Sequence, residues 1–362
     1  MNAGSRQPGS RAREVQKLRA LLTEIPKTEI HLHLEALATV DTIWDLMKTH
    51  KITYDKVSTK GDLKKKFHIT SFDEFIDLFI NVVQNCFKSE DDFDYLINDA
   101  LAYLNRNNIV YAEIFFAPSK FLINGLKFPA MINRLNDGAN MLKEKHGREV
   151  KFIIDVSRSF GVKNAEHNLK LTLDNLSDNI IGIGLGGAEE IGPAKDFVDV
   201  FAKAAAKGLH IVAHAGEVVG PESIWDSINL LKAERIGHGT SAVQDNKLMD
   251  ALAENQIPIE ICPTSNVYTQ KYVKVLEEHP IRAYFDHNLN VTVNTDDPTL
   301  FGVDLVDEYM SLTNKNFFAP AEIIKLVKNN LFSTFLPDDR KKKIWQDVNA
   351  VLKYYEDSLP LS

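Results

Sequence analysis

Cysteine is almost missing from this chain. Cys86 and Cys262 are the only two in 362 residues, far apart and in no CxxC pair, which excludes a disulfide framework and a thiolate zinc site and points to a reducing cytoplasm. Long apolar runs are missing too: no stretch approaches the roughly 18 to 20 residues that a membrane-spanning helix needs, and no signal-peptide apolar core follows the N-terminus. A soluble protein with no membrane partner is expected. Positive charge is in deficit, with a formal net charge of -8 and a pI of about 5.8, so the overall field repels phosphate backbones and speaks against a nucleic-acid partner. No GxGxxG opens a helix after the first strand-like run, which removes a dinucleotide-binding fold. No heptad pattern occurs, so oligomeric state is left open.

What the chain does have is alternation. Short β-branched runs recur at 28–34, 110–117, 151–157, 180–187, 210–217, 235–239, 258–265 and 290–295, with long helical patterns between most of them. Strand and helix alternating eight times predict an α/β protein, a closed (β/α)8 TIM barrel, over an open doubly wound sheet. Residues 15–362 read as one domain, and 1–14, with Arg6, Arg11 and Arg13 among Gly, Ser and Pro, as a disordered tail. The connection over 36–109 is too long for an ordinary βα unit and predicts a helical lid inserted after strand 1. Within it, Ser71-Phe72-Asp73-Glu74 fits a capping box, and Phe72, Phe75, Ile76, Phe79, Val82 and Val83 follow at helical spacing. Such a stripe is more often packing than substrate contact, and its place above the catalytic face narrows those odds.

The chemistry-bearing residues fall at the ends of the predicted strands. His31-Leu32-His33 ends strand 1, and the period-2 repeat of a strand turns both imidazoles to one face. Alone, an HxH is weak. Yet His214 and Glu217 follow strand 5, His238 follows strand 6, and Asp296 with Asp297 follow strand 8, and in an α/β barrel these ends converge on one pole. Neutral imidazoles with one carboxylate and no thiolate suit a catalytic zinc that keeps a position open for water. His31, His33, His214 and one aspartate supply that set. Strand 4 ends in Gly186-Gly187, with no residue to bridge a metal pair, so one zinc ion per chain is expected. Zinc makes hydroxide available near neutral pH, but expelling an amine also needs a proton donor. Glu217, three residues after His214 and beyond two small residues, is the candidate acid.

Taken in order, His31-Leu32-His33, His214-Ala215-Gly216-Glu217, Arg235-Ile236-Gly237-His238-Gly239, Cys262-Pro263-Thr264-Ser265-Asn266 and Asn294-Thr295-Asp296-Asp297-Pro298 resemble the adenosine deaminase family, over about residues 25 to 309. The resemblance implies that His31, His33, His214 and Asp296 bind zinc and that Glu217 protonates purine N1 as hydroxide attacks C6. It implies that His238 orients and supports the hydroxide, that Asp297 contacts N7 and the attacking water, and that the Gly187 N–H reaches N3. Phe75, Ile76 and Phe79 resemble the family's apolar gate. The substrate so implied is a small purine nucleoside, adenosine or 2'-deoxyadenosine, converted to inosine and ammonia.

Four positions depart from the pattern. Glu35-Ala36 stands where nucleoside-type members carry Asp-Gly, whose aspartate holds a ribose hydroxyl. A glutamate there is similar to members acting on free adenine or on aminodeoxyfutalosine, whereas Gly237 resembles the nucleoside type. Ala188 replaces an acidic residue and Thr295 a serine, both flanking the site. Adenine deaminase and aminodeoxyfutalosine deaminase are therefore the alternatives within one chemistry. Ester or lactam hydrolysis by a related metal-dependent barrel, and a barrel retained only for binding, are the more distant ones.

Overall fold

β1 (Lys27–His33), β2 (Ile109–Phe116), β3 (Glu149–Ser157), β4 (Ile180–Gly186), β5 (His210–Ala215), β6 (Arg235–His238), β7 (Ile259–Ile261) and β8 (Val291–Val293) follow one another in chain order around one parallel sheet. They are seen in a computed structural model that describes residues 8–69, 71–316 and 318–361. Every neighbouring pair is parallel. The seam is closed just beyond β8, where Leu32 bridges Asp296: the Asp296 N–H donates to the His31 carbonyl (3.1 Å) and the His33 N–H to the Asp296 carbonyl (3.0 Å). The (β/α)8 barrel expected from the alternation is the fold.

Most strands are apolar on both faces, as a sheet covered inside and out requires. Phe115, Ile153 and Val212 meet inside the barrel, while the larger core lies between the strands and the outer helices. Two predicted strands end early for local reasons. The run 258–265 stops at Ile261 because Pro263 starts the helix Pro263–Thr269, and proline pre-sets a helical φ at that position. The run 210–217 stops at Ala215 because Gly216 turns left-handed, with φ of +69°.

The 36–109 segment is helical, with Val40–Thr49, Lys60–Lys66, Phe72–Asp77 and Phe93–Arg106 among its helices. The expected helix after Ser71 begins there, the Ser71 hydroxyl accepting from the Glu74 N–H (3.3 Å), and continues as a π-helical turn over Leu78–Val83. From Pro8 onward the expected tail is instead the helix Pro8–Glu24, while residues 1–7 lie outside the described residues. Leu18, Leu21 and Leu22 are buried on this helix, which packs on the helices Leu305–Lys315 and Asp338–Leu352 with an Arg19–Asp307 ion pair at 2.7 Å. That apolar partner surface comes from the far end of the chain. Among the described residues no helix is long and apolar enough to cross a membrane.

Glu308 ties the outer shell to the catalytic pole. Its Oε1 accepts from the Thr264 N–H (3.0 Å), its Oε2 has no partner, and burial pushes the carboxyl up to about 8. A folded-state pKa above the unfolded one means that the folded protein holds the proton more tightly, so this contribution to stability is complete below about 4.5 and lost as pH rises to about 8. Glu308→Gln mimics the protonated acid. The unfolding free energy of E308Q from urea titration is expected to pull ahead of the wild type between pH 5 and 8.5, by up to about 1.4 kcal/mol per pH unit; a gap that does not change with pH contradicts this.

Candidate active site

The closing bonds between β1 and the end of β8 put His31, His33 and Asp296 at one point. Asp296 Oδ1 lies 3.4 Å from His31 Nε2 and 3.2 Å from His33 Nε2. β5 brings His214, whose Nε2 is 3.3 Å from His33 Nε2. β6 brings His238; donor atoms of His31, His214, His238 and Asp296 all lie within 4.8 Å of one another. Asp296 and His238 have positive φ, +65° and +63°. A non-glycine residue pays about 1 to 2 kcal/mol for this, and both do so where the strand end must aim a side chain inward. Gly237 faces the same space, and a Cβ there would stand 2.7 Å from His31 Cε1.

These groups are held from behind. Glu260 Oε2 takes the His31 Nδ1–H at 2.7 Å, which leaves His31 Nε2 facing the cluster and Asp296 Oδ1. The Ser265 hydroxyl donates to Asp296 Oδ2 (2.7 Å), so Oδ1 is the free oxygen. The His33 ring stacks on Phe115 with centroids 5.2 Å apart. Arg158, buried, donates to the carbonyls of His214 and Gly192.

The titration pattern shows a centre that demands positive charge. Burial works to lower His31 and His33, but hydrogen bonds to Asp296, joined for His31 by Glu260, overcome it and lift them to about 9 and about 10. Burial works to raise Asp296, and the same two imidazoles hold it well below the carboxylate range. Burial, then the neighbouring imidazoles, hold His214 neutral, and burial drops His238 to about 3. Two imidazole nitrogens 3.3 Å apart with an adjacent carboxylate oxygen need either a proton or a cation between them. The residues therefore fit a metal ion bound by nitrogen and oxygen donors.

Glu217 stands beside this cluster. Its Oε1 accepts from the Thr269 hydroxyl (2.8 Å) and its Oε2 is 3.6 Å from His238 Nε2. Burial and the Asp296 charge push its carboxyl up to about 8, so it keeps a proton at neutral pH. Burial and Asp296 also raise Asp297, whose Oδ1 is buried without a partner. Gly187, with φ of +84°, lies where a Cβ would meet Ser157 Oγ at 2.4 Å.

Glu35 is buried at the rim. Its Oε1 accepts from the Ala117 N–H (3.1 Å) and Gln84 Nε2 (3.4 Å), Oε2 is free, and burial pushes it up to about 7. Phe75 is buried and stacks on Phe301 (5.0 Å), which stacks on Tyr268 (5.0 Å), with Phe79 5.8 Å from Phe75. Ile76 points outward from that stack, 38% exposed, and the Phe72 side chain lies outside the described residues.

Several functional residues have no signal in spacing. Asp155, buried at the end of β3, fills the space that Gly184 and Gly186 leave on β4, since a Cβ on Gly186 would come 2.4 Å from Asp155 Oδ2. Strand 4 ends in glycine, then, because strand 3 brings a carboxylate. Glu189 accepts the N–H groups of Gly216 (2.6 Å), Glu217 (3.1 Å), Val218 (2.9 Å) and Val219 (3.0 Å), and the Ser223 hydroxyl as well. One carboxylate thus pins four consecutive residues of the turn that carries Glu217.

A closed parallel barrel with histidines and carboxylates gathered at the carboxyl ends of its strands carries them where enzymes of this fold have their active sites. The chain belongs to the adenosine deaminase family, whose model, described as "Adenosine deaminase", matches residues 26–351, and it is a deaminase enzyme. It is 34% identical over 337 residues to an aminodeoxyfutalosine deaminase of Streptomyces coelicolor, covering 92% of this chain and 86% of that protein. It is 32% identical over 350 residues to an adenosine deaminase of Clostridium kluyveri, covering 95% and 99%. The crystal structure of an adenine deaminase from Arthrobacter aurescens superimposes with a TM-score of 0.86 at 28% identity, over 91% of this chain and 99% of that one.

Glu189→Gln replaces an acceptor-only carboxylate by a group that is half donor, facing backbone donors. We expect kcat to fall roughly 10- to 100-fold, as misplacing a catalytic group does, with metal content kept and faster hydrogen exchange confined to the amides of 216–219. Unchanged exchange at those four amides would show that the carboxylate does not hold the turn.

Proposed function

We propose that this protein is a zinc-dependent hydrolytic deaminase that replaces the 6-amino group of an adenine nucleoside with oxygen and releases ammonia. The observation that carries this reading is the place of Glu217, whose Oε2 lies 3.6 Å from His238 Nε2 beside a cluster that fits a metal ion, its carboxyl pushed up to about 8. Hydrolysis of an amidine carbon needs a donor to the ring nitrogen and a nucleophile at the carbon together. His31, His33, His214 and Asp296 would hold one zinc ion. Zinc, when bound, supplies the Lewis acidity that makes water a nucleophile near neutral pH.

The protein groups do the rest. Glu217 gives its proton to N1 as oxygen adds to C6, which ends the ring's aromatic conjugation and makes the carbon tetrahedral. His238 and Asp297 flank the attacking oxygen. The attacking water gives up both of its protons, one restoring Glu217 and the other passing to the 6-amino nitrogen; the C–N bond then breaks, ammonia leaves, and the 6-oxo ring remains with the former Glu217 proton on N1. The Gly187 N–H reads N3, and Phe75 with Phe79 excludes water over the base, which strengthens the Glu217 hydrogen bond. Ile76 belongs to the outer surface of this gate.

Glu35 Oε2, buried and unpaired, supports a nucleoside over a free base, because a sugar hydroxyl is the donor it lacks. Adenosine and 2'-deoxyadenosine are the simplest such substrates. A larger adenine nucleoside, aminodeoxyfutalosine, is the second reading, favoured by glutamate at 35 and by the name of a 34% identical relative. The two free, buried cysteines support a cytoplasmic location.

Ammonia release from adenosine, 2'-deoxyadenosine, adenine, adenosine monophosphate and aminodeoxyfutalosine, read with the ultraviolet change, tests this directly. One nucleoside is expected to lead in kcat/KM, with Glu217→Gln at least about 100-fold slower while retaining zinc. Free adenine leading the panel would remove the sugar role of Glu35, and no turnover by zinc-loaded protein would overturn the proposal. Chelation is expected to abolish turnover and lower Tm, and one equivalent of zinc to restore both; full activity in metal-free protein would exclude the metal.

A further inference from the structure

We infer that His279 and Asn266 form a one-way hydrogen-bond relay that fixes the tautomer of His238, so that its Nε2–H is a permanent donor to the reaction centre. The chain of reasoning begins at a backbone group whose role has no alternative. Ile281 is the first residue of the helix Ile281–Asp286, so its N–H has no intrahelical acceptor; it donates to His279 Nδ1 at 3.0 Å. A nitrogen that accepts carries no proton, so the His279 proton is on Nε2. His279 Nε2 lies 3.1 Å from Asn266 Oδ1 and donates to it. That fixes the Asn266 amide: its Nδ2 points the other way, 3.0 Å from His238 Nδ1, and an amide nitrogen can only donate. His238 Nδ1 is therefore an acceptor, and the imidazole proton is on Nε2.

All three side chains are buried, at 2%, 2% and 3% exposure for His238, Asn266 and His279, so bulk water does not compete for these hydrogen bonds. His238 Nε2 faces the pocket, 3.6 Å from Glu217 Oε2. Two consequences follow. A nitrogen that carries a proton has no lone pair for a metal, so the relay removes His238 from the four residues whose donor atoms cluster within 4.8 Å and leaves the place to His33. A donor fixed in advance toward an oxygen that gains charge also costs no reorganisation during reaction. Asn266 and His279 are thus positioning residues that act through His238 and touch no substrate.

Zinc-loaded protein labelled with nitrogen-15 at histidine reads the tautomer without substrate, by long-range proton–nitrogen correlation, with His238 assigned from the signals lost in His238→Asn. The expected result is a neutral His238 with its proton on Nε2, and the same for His279. Asn266→Asp presents only acceptors to His238 and is expected to move that proton to Nδ1 and cut kcat about 100- to 1000-fold, with KM and zinc content within about threefold. His279→Gln still offers a donor to Asn266 and is expected to keep the His238 tautomer and most of kcat; His279→Leu lets the amide turn and gives mixed tautomers. A wild-type His238 protonated on Nδ1, or N266D with tautomer and kcat unchanged, overturns the relay. The size of the kcat effect rests on the deaminase reading, but the tautomer does not, so an enzyme with this tautomer and no purine turnover would sink the former alone.

Discussion

Two backbone hydrogen bonds, Asp296 N–H to the His31 carbonyl and His33 N–H to the Asp296 carbonyl, are the constraint on which the rest of the molecule depends. They close the sheet, so that no strand edge is left unpaired at the seam while the helices cover the outer face. The same bonds set the strand-1 histidines against the strand-8 aspartate. Closure and site assembly are therefore one event, and Asp296 accepts a left-handed backbone to serve both.

Placing this much charge inside a barrel has a structural cost that is met by a column of paired groups. Glu113, fully buried, accepts from the Tyr111 hydroxyl (2.9 Å), the Phe335 N–H (2.6 Å) and Arg235 Nη1 (2.5 Å). Arg235 Nε pairs with Glu260 Oε1 (2.6 Å), and Glu260 in turn holds His31. The Phe335 ring covers the guanidinium at 3.9 Å. Each ion is buried but none is alone, which is the condition under which buried charge is tolerated. The column runs from the chain after the helix Pro320–Phe332 to the imidazole that faces the candidate metal cluster, so the C-terminal region bears on the orientation of His31.

The barrel and the candidate site residues were legible because their rules are local. Alternation of β-branched runs with helical spacing yields strands and helices without knowledge of partners, and the carboxyl ends of barrel strands converge whatever the loops do. His31, His33, His214, Glu217, His238, Asp296 and Asp297 were found on that basis, and the structure brings them together. The supporting groups were not legible. Glu260, Arg235, Arg158 and Glu189 are ordinary charged residues in sequence, and each matters only through a partner 25 or more positions away, such as Gly216 for Glu189 and Glu113 for Arg235. Neighbours in a helix point about 100° apart, so Phe75 and Ile76 cannot both join the stack, and which of them faces inward is set by Phe301 and Tyr268, far along the chain.

The sequence by itself determined the number and order of the elements, the pole at which chemistry occurs and the kinds of side chain delivered there, since each depends on periodicity and on residue type near the end of its own strand. Tertiary structure alone decided the electrostatic state of those side chains. Burial holds the Glu217 proton, Asp296 is held ionised by two imidazoles from another strand, and Asn266 and His279 govern the proton on His238. Proton position depends on solvent exclusion and on hydrogen-bond direction across distant segments, and neither quantity exists until the chain is folded.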